Sequence, residues 1–271
     1  MKFLRSLLRR EDARVPGPIQ TGLPFQAAKA AAQKIEGMFS DFSMAAIDSL
    51  LALQREIKTT GDMLEMGVFH GRSAALIGNR LGAGETLFLV DREDFLDRQA
   101  IAPFGSASQF ILCPTEKLRV ALPDFEGKKR SFRFIHIDAG HAYRPTINEF
   151  SIADELLSSN GIIALDDFTN LNYSQNMAAM FKYLFTASTD LTPFLVTDEK
   201  AYLCRRPQHA KYLKWLLDNI IPEMAAREIP DCILARSDSD PEYDAFYLRG
   251  RNPGETGNFY GIEMFKRFYR L

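Results

Sequence analysis

Acidic side chains close three apolar runs in this sequence, and each run is followed by a turn. The first, Asp62-Met-Leu-Glu-Met-Gly-Val-Phe-His-Gly-Arg-Ser73, carries Glu65 at its end, turns through Gly67, Phe69 and Gly71, and enters a helix at Ser73. The second is Ile135-His-Ile-Asp138-Ala-Gly-His141, and the third is Gly161-Ile-Ile-Ala-Leu-Asp166-Asp167. A glycine turn lets a ligand approach the backbone without meeting a Cβ. The helix after it points unpaired N–H groups at whatever occupies the turn. Polar cargo on three strand ends defines one crevice, where a doubly wound α/β sheet binds its ligand.

The spacing Glu65-x-Gly67-x-x-x-Gly71-x-Ser73 is not the G-x-G-x-x-G fingerprint that fits a pyrophosphate. Glu65 would repel phosphate and suits a cationic ligand, such as one bearing an amino group and a sulfonium. An ordinary strand–turn–helix without ligand competes with this reading. Asp91 ends the next strand, 20 residues after Gly71, where a carboxylate can accept both ribose hydroxyls. The competing reading is a solvated acid among Arg92, Glu93 and Asp94. Thr115 and Glu116 end the third strand and could frame an adenine, although helix capping explains Thr115 equally well.

Asp138, Asp166 and Asp167 form a second constellation. Their segments lie 28 residues apart, about one crossover between adjacent parallel strands. Three carboxylates in one place repel unless a cation or protons intervene. Mg²⁺, a hard ion with oxygen ligands, would balance them and keep positions open for substrate oxygens. Alternatively Asp166 or Asp167 caps the next segment and only Asp138 faces the crevice. His141 can take a proton from a hydroxyl, or be a loop histidine bonded to backbone. His136 reads as a core residue, His70 as lining the ligand or facing solvent, and His209 has no assigned role.

Alternating elements must carry these residues. Strands are expected at 63–66, 86–90, 109–112, 132–137 and 162–165, with helices near 72–81, 94–105, 116–121, 145–157 and 173–187. Asn160-Gly161 reads as a turn. Strands 193–197 and 201–205 flank Asp198-Glu-Lys200 as a hairpin. This order predicts a doubly wound, mostly parallel α/β sheet with an antiparallel hairpin at one edge. Residues 11–24 read as a linker, 25–58 as helical with a junction at Phe39 and Phe42, and 208–228 as another helix. The expected divisions are an arm with helices at 1–58, the ligand-binding domain at 59–206 and a helical, aromatic-rich extension at 207–271. Tyr243, Phe246, Tyr247, Phe259, Tyr260 and Phe265 suit an acceptor pocket, a subunit interface or plain core.

Bulk composition narrows the classes. Lys plus Arg total 33 against 35 Asp plus Glu, so the net charge of −2 argues against a nucleic-acid partner. The three scattered cysteines suggest neither disulfides nor zinc, which makes a reducing cytoplasm the expected location. No apolar run is long enough to span a membrane. Met1–Arg10 is basic with interspersed leucines, and reads as a solvated or partner-packed helix sooner than a membrane contact. Arms at both ends outside the core domain make a homodimer plausible.

Taken together, these motifs resemble the class I S-adenosylmethionine-dependent methyltransferases, nearest the macrocin O-methyltransferase-like and cephalosporin-hydroxylase-like groups. The resemblance rests on Leu64–Ser73, Val90-Asp91, Ile135–Tyr143 and Gly161–Asp167, and covers roughly residues 35–205. It implies seven strands with a reversed last hairpin. It implies that Glu65, Gly67 and their turn (Phe69, Gly71, Ser73) meet S-adenosyl-L-methionine, that Asp91 holds the ribose, and that Thr115 and Asp138 also contact the cofactor. Asp138, Asp166 and Asp167 would match metal ligands, and His141 a general base. Many relatives carry Gly-Asp-His where this chain has Ala139-Gly140-His141, so one carboxylate is missing. The implied reaction is methyl transfer to a hydroxyl of a small molecule or saccharide. The rivals are a nicotinamide oxidoreductase and a non-catalytic cofactor-binding protein; the missing G-x-G-x-x-G argues against the first.

Overall fold

The computed structural model describes residues 20–236 and 245–253. The expected Met1–Arg10 helix, Tyr243, Phe259, Tyr260 and Phe265 lie outside these residues. Two helices, α1 (Phe25–Ala32) and α2 (Asp41–Glu56), precede the first strand. The Ser40 side chain caps α2 by accepting the Ser43 N–H at 3.2 Å. Phe42 falls inside α2, so the expected junction narrows to the residues around Phe39.

Five parallel strands follow: β1 (Asp62–Met66), β2 (Leu87–Asp91), β3 (Ser108–Leu112), β4 (Phe132–Ile137) and β5 (Leu157–Leu165). Their connections carry α3 (Arg72–Gly78), α4 (Arg98–Ile101), α5 (Leu118–Ala121) and α6 (Tyr143–Leu156). β4 is buried at every position, as expected of a parallel strand covered on both faces. Successive side chains serve two cores. Met63, Leu87, Leu89 and Phe134 face α1, α2 and α3, whereas Leu64, Phe88, Val90 and Ile135 face α5, α6 and α7 (Gln175–Thr186).

The sheet order is β3-β2-β1-β4-β5-β7-β6-β9-β8. The chain moves outward from β1 through β2 and β3, then returns to place β4 on the other side of β1. That reversal opens a crevice at the carboxyl ends of β1 and β4. β6 (Leu191–Val196) and β7 (Ala201–Arg205) form the antiparallel hairpin, with β7 against β5.

Three expectations need correction. Among the described residues the sheet has nine strands, not seven, and the hairpin is not its edge. After the long helix α8 (Arg206–Ala226), β9 (Phe246–Gly250) pairs parallel with β6, and β8 (Cys232–Ala235) pairs antiparallel with β9. β9 alternates buried Phe246 and Leu248 with partly exposed Tyr247 and Arg249, so it covers a strand edge that would otherwise be unpaired. Nor is Asn160-Gly161 a turn between elements: β5 starts at Leu157, and the pair sits where the register with β4 jumps from Phe132↔Leu157 to Phe134↔Ile162. Helices α1, α2 and α8 share a core with the sheet, from Phe25 to Leu248.

Candidate functional site

A cavity of about 390 Å³ opens at the carboxyl ends of β1, β2 and β4. Of the residues expected to bind cofactor, it is lined by Gly67, Phe69, Ser73, Asp91, Thr115 and Asp138, together with His141. Glu65, Gly71, Asp166 and Asp167 are not part of the lining.

The turn after β1 is built by Asp91. Its Oδ2 accepts the N–H groups of Val68 and Phe69 at 2.8 and 3.0 Å, and its Oδ1 accepts that of Glu93 at 3.1 Å. The carboxylate at the end of β2 thus fixes the backbone at the end of β1 and still faces the cavity. Gly67 has φ +85°, and a Cβ there would stand 2.0 Å from the Asp138 carbonyl oxygen. Only glycine lets the backbone leaving β1 pass this close to the backbone leaving β4. Gly71 caps α3 at φ +91°, where a Cβ would meet Leu96 and Ala100, so its role is packing. Phe69, His141 and Asp167 have φ of +49°, +39° and +53°. A bulky aromatic at positive φ is a genuine outlier, and strain of this kind gathers at binding sites.

Glu65 is directed into the sheet. It is the register partner of His136 on β4, whose Nδ1–H donates to Glu65 Oε1 at 2.8 Å; both are fully buried. His136 Nε2 and Glu65 Oε2 have no hydrogen-bond partner among the described residues. His136 is a buried core residue, as expected, and Glu65 meets it where a ligand was expected.

The three aspartates gather around Asp138, each already holding a partner within the chain. Asp166 Oδ2 pairs with the ammonium of Lys200, a side chain only 1% exposed, and Asp166 Oδ1 accepts the Asp167 N–H at 2.7 Å. Asp167 Oδ2 lies 2.9 Å from His141 Nε2, and its Oδ1 accepts from Asn170 at 3.0 Å. Asp138 Oδ1 lies 3.2 Å from the same His141 Nε2, so the two carboxylates share one ring nitrogen. Two sets of donors do come within 4.8 Å: His136, Asp138 and Asp166, and Asp138, His141 and Asp167. Each contains an imidazole, and neither holds all three carboxylates. Among the described residues each candidate set thus mixes carboxylates with an imidazole, a donor set less characteristic of Mg²⁺ than oxygen alone.

Charge follows from these contacts. Burial, then Asp166, pushes the Asp138 carboxyl up to about 6, against the pull of His141, His136 and Lys200. Hydrogen bonds to Asp138 and then Asp167 push His141 up to about 10, with burial opposing. Burial works to raise Asp166, but Lys200 and His136 outweigh it and the net direction is down. The two carboxylates thus favour the protonated form of His141, the residue expected as a proton acceptor.

Sequence reasoning missed Glu149, Lys200 and the wall formed by Glu36, Gly37 and Met38. Glu149, on α6, is fully buried, lines the cavity and accepts the Thr115 hydroxyl at 2.8 Å. Its Oε2 has no partner among the described residues, and burial raises its pKa. A Cβ on Gly140 would lie 2.9 Å from Glu149 Oε1, which leaves no room there for a side chain. Glu149 was legible as an acid on the buried stripe Thr146, Phe150 and Ala153 of α6. The wall is fixed by Arg72, whose Nε donates to the Ile35 carbonyl at 2.7 Å.

Residues 64–168 match a family model described as a methyltransferase domain. No curated protein matches the sequence significantly. Among solved structures, cofactor-bound Rv0187 from MTB superposes with a TM-score of 0.52 at 16% identity, covering 68% of this chain and 91% of that one. A candidate O-methyltransferase from Klebsiella pneumoniae gives 0.52 at 14% identity, with 71% and 92% covered. At these identities the likeness is one of fold.

Proposed function

We propose, from the match of residues 64–168 to a methyltransferase domain, that the chain is a class I S-adenosylmethionine-dependent methyltransferase that transfers a methyl group to a hydroxyl oxygen of a small molecule or saccharide. The observation that carries the reading is the cavity at the β1/β4 switch, with Asp91 at one strand end and Asp138 at another. A cavity of this volume suits a nucleoside-sized ligand. The residues fit S-adenosylmethionine: Glu149 Oε2, buried without a partner among the described residues, lines the cavity beside Thr115 and would accept an adenine amino group.

When bound, the cofactor supplies an activated methyl on a sulfonium. Asp91 uses its remaining lone pairs for the ribose hydroxyls while it holds the turn. Transfer of that methyl to an acceptor hydroxyl would require a group of this chain to remove the hydroxyl proton. His141 favours its protonated form, so the Asp138 carboxylate takes the hydroxyl proton, and His141 orients that carboxylate. No step is assigned to a divalent ion.

Calorimetry with S-adenosylhomocysteine tests the reading. Saturable binding that Asp91→Ala weakens by about tenfold or more is expected, since a lost charge-assisted hydrogen bond is worth ~1.5–3 kcal/mol. Binding of NAD in its place would overturn it.

A further inference from the structure

We propose that the ammonium of Lys200 is the resident cation of the acidic strand ends, in the place where a divalent metal would stand, so that methyl transfer by this chain needs no metal. The inference rests on the methyltransferase reading for its consequence, but its geometry stands apart from it.

Lys200 closes the β6–β7 hairpin and is buried to 1% exposure. A lysine is fully buried only where a counter-charge repays its desolvation. Here Asp166 is the direct partner, and Asp138 stands close enough to feel the charge. The Phe39 ring covers the ammonium, with its centroid 5.4 Å away. The stem cannot swing out easily, because the hairpin is fastened on three sides. The Lys200 N–H donates to Thr197 Oγ1 at 3.1 Å, and the Lys200 carbonyl accepts the Thr197 N–H at 2.8 Å. Glu199 Oε2 accepts the hydroxyls of Ser40 and Ser43 at 2.8 and 2.6 Å, which ties the turn to the start of α2. The Glu199 carbonyl accepts the Phe168 N–H at 2.8 Å, which ties it to the end of β5.

A metal coordinated by Asp138, Asp166 and Asp167 would have to expel this ammonium from Asp166 and break the His141 bridge. The Lys200 ammonium already holds Asp166, and the His141 ring already bridges Asp138 and Asp167. The neutralisation that sequence reasoning assigned to Mg²⁺ is supplied from within the chain. Lys200 does not line the cavity, so it is a positioning residue acting through Asp166.

The test is titration of the full chain with MnCl₂ alone, followed by calorimetry and by Mn²⁺ electron paramagnetic resonance. The wild type is expected to take up no ion at the site. S-adenosylhomocysteine should bind with equal affinity, within about twofold, in EDTA and in Mg²⁺. Lys200→Met strips the cation from Asp166, and a folded variant should gain saturable Mn²⁺ binding that Asp166→Asn abolishes in the double variant. Lys200→Arg should restore exclusion, which a merely structural role would not produce. If Lys200→Met does not fold, Lys200→Gln takes its place. One equivalent of Mn²⁺ on the wild type, lost in Asp166→Asn, would overturn the proposal, as would a folded Lys200→Met that takes up none. Failure to bind S-adenosylhomocysteine at all would instead strike the methyltransferase reading and leave the manganese titration intact.

Discussion

In the proposed reaction Asp138 and His141 are the pair that handles the proton, and their roles separate by substitution. Asp138→Asn keeps the shape and removes the proton acceptor, so kcat should fall by about 10²–10⁴. His141→Gln keeps a donor toward the carboxylates but cannot titrate; if His141 only orients Asp138, kcat should fall by about tenfold or less. Equal losses in the two variants would make His141 the base. Gly67 is a stricter case. Alanine there combines a strained φ of +85° with a contact of 2.0 Å to Asp138 backbone, whereas alanine at Gly84 shares a φ of +78° with nothing within 4 Å. Gly84→Ala should cost ~1 kcal/mol, the price of the dihedral alone, while Gly67→Ala should cost several times more and abolish S-adenosylhomocysteine binding. Urea unfolding of both variants checks this, and similar losses would show that the Asp138 backbone yields. Of these residues, Gly67, Asp91 and Asp138 were legible because a strand end announces itself in sequence. Lys200 was not, since a lysine in a hairpin turn reads as solvated until the turn is seen to be folded under Phe39. Glu65 misled for a related reason: its partner, His136, stands opposite only once β1 and β4 are known to be neighbours.

At the scale of elements, charge clamps outside the cavity decide how the helices sit. Asp48, in the middle of α2, is fully buried and accepts Arg80 Nε at 2.6 Å and Arg227 Nε at 2.7 Å. One carboxylate therefore joins α2 to the residues just after α3 and α8. Removing one partner of such a cluster leaves buried charge uncompensated, so Asp48→Asn should destabilise by ~3–5 kcal/mol in urea unfolding. A loss below ~1 kcal/mol would mean that water reaches the guanidinium groups. The parallel strands and the helices between them were readable because apolar runs buried on both faces leave little ambiguity. β8 and β9 were not. Both are short, β9 pairs with β6 over only Leu195↔Phe246 and Val196↔Tyr247, and its partner lies some 50 residues back along the chain. Local pattern does not encode that choice; the uncovered edge of β6 does.

At the scale of the molecule the described residues form one sheet, and the matched segment at 64–168 is only its first half. The face that packs α1, α2 and α3 continues without a break to Tyr212, Leu216 and Leu248, so the C-terminal half should unfold with the cavity and not after it. His209 makes this measurable. It is buried at the start of α8, its Nε2–H donates to the Pro193 carbonyl on β6 at 3.1 Å, and burial, with Arg206 and Arg236 adding, pushes it down to about 4. Above the unfolded value of ~6.5 both states are neutral and the full stability is present. As pH falls from ~6.5 towards 4, the unfolded chain takes up a proton that the folded chain refuses, so stability declines by up to about 3 kcal/mol and the decline from this group ends near 4. His209→Gln cannot titrate, and its stability should lose that share of the slope between those limits whatever its absolute value. Trp215, the single tryptophan, lies on α8, so its fluorescence reports the C-terminal half while far-ultraviolet circular dichroism reports the sheet. If the two halves are one cooperative unit, both probes give the same midpoint at each pH and the same flattening in the variant. Should fluorescence alone respond, α8 opens by itself, and the cavity belongs to a smaller folding unit than the continuous core implies.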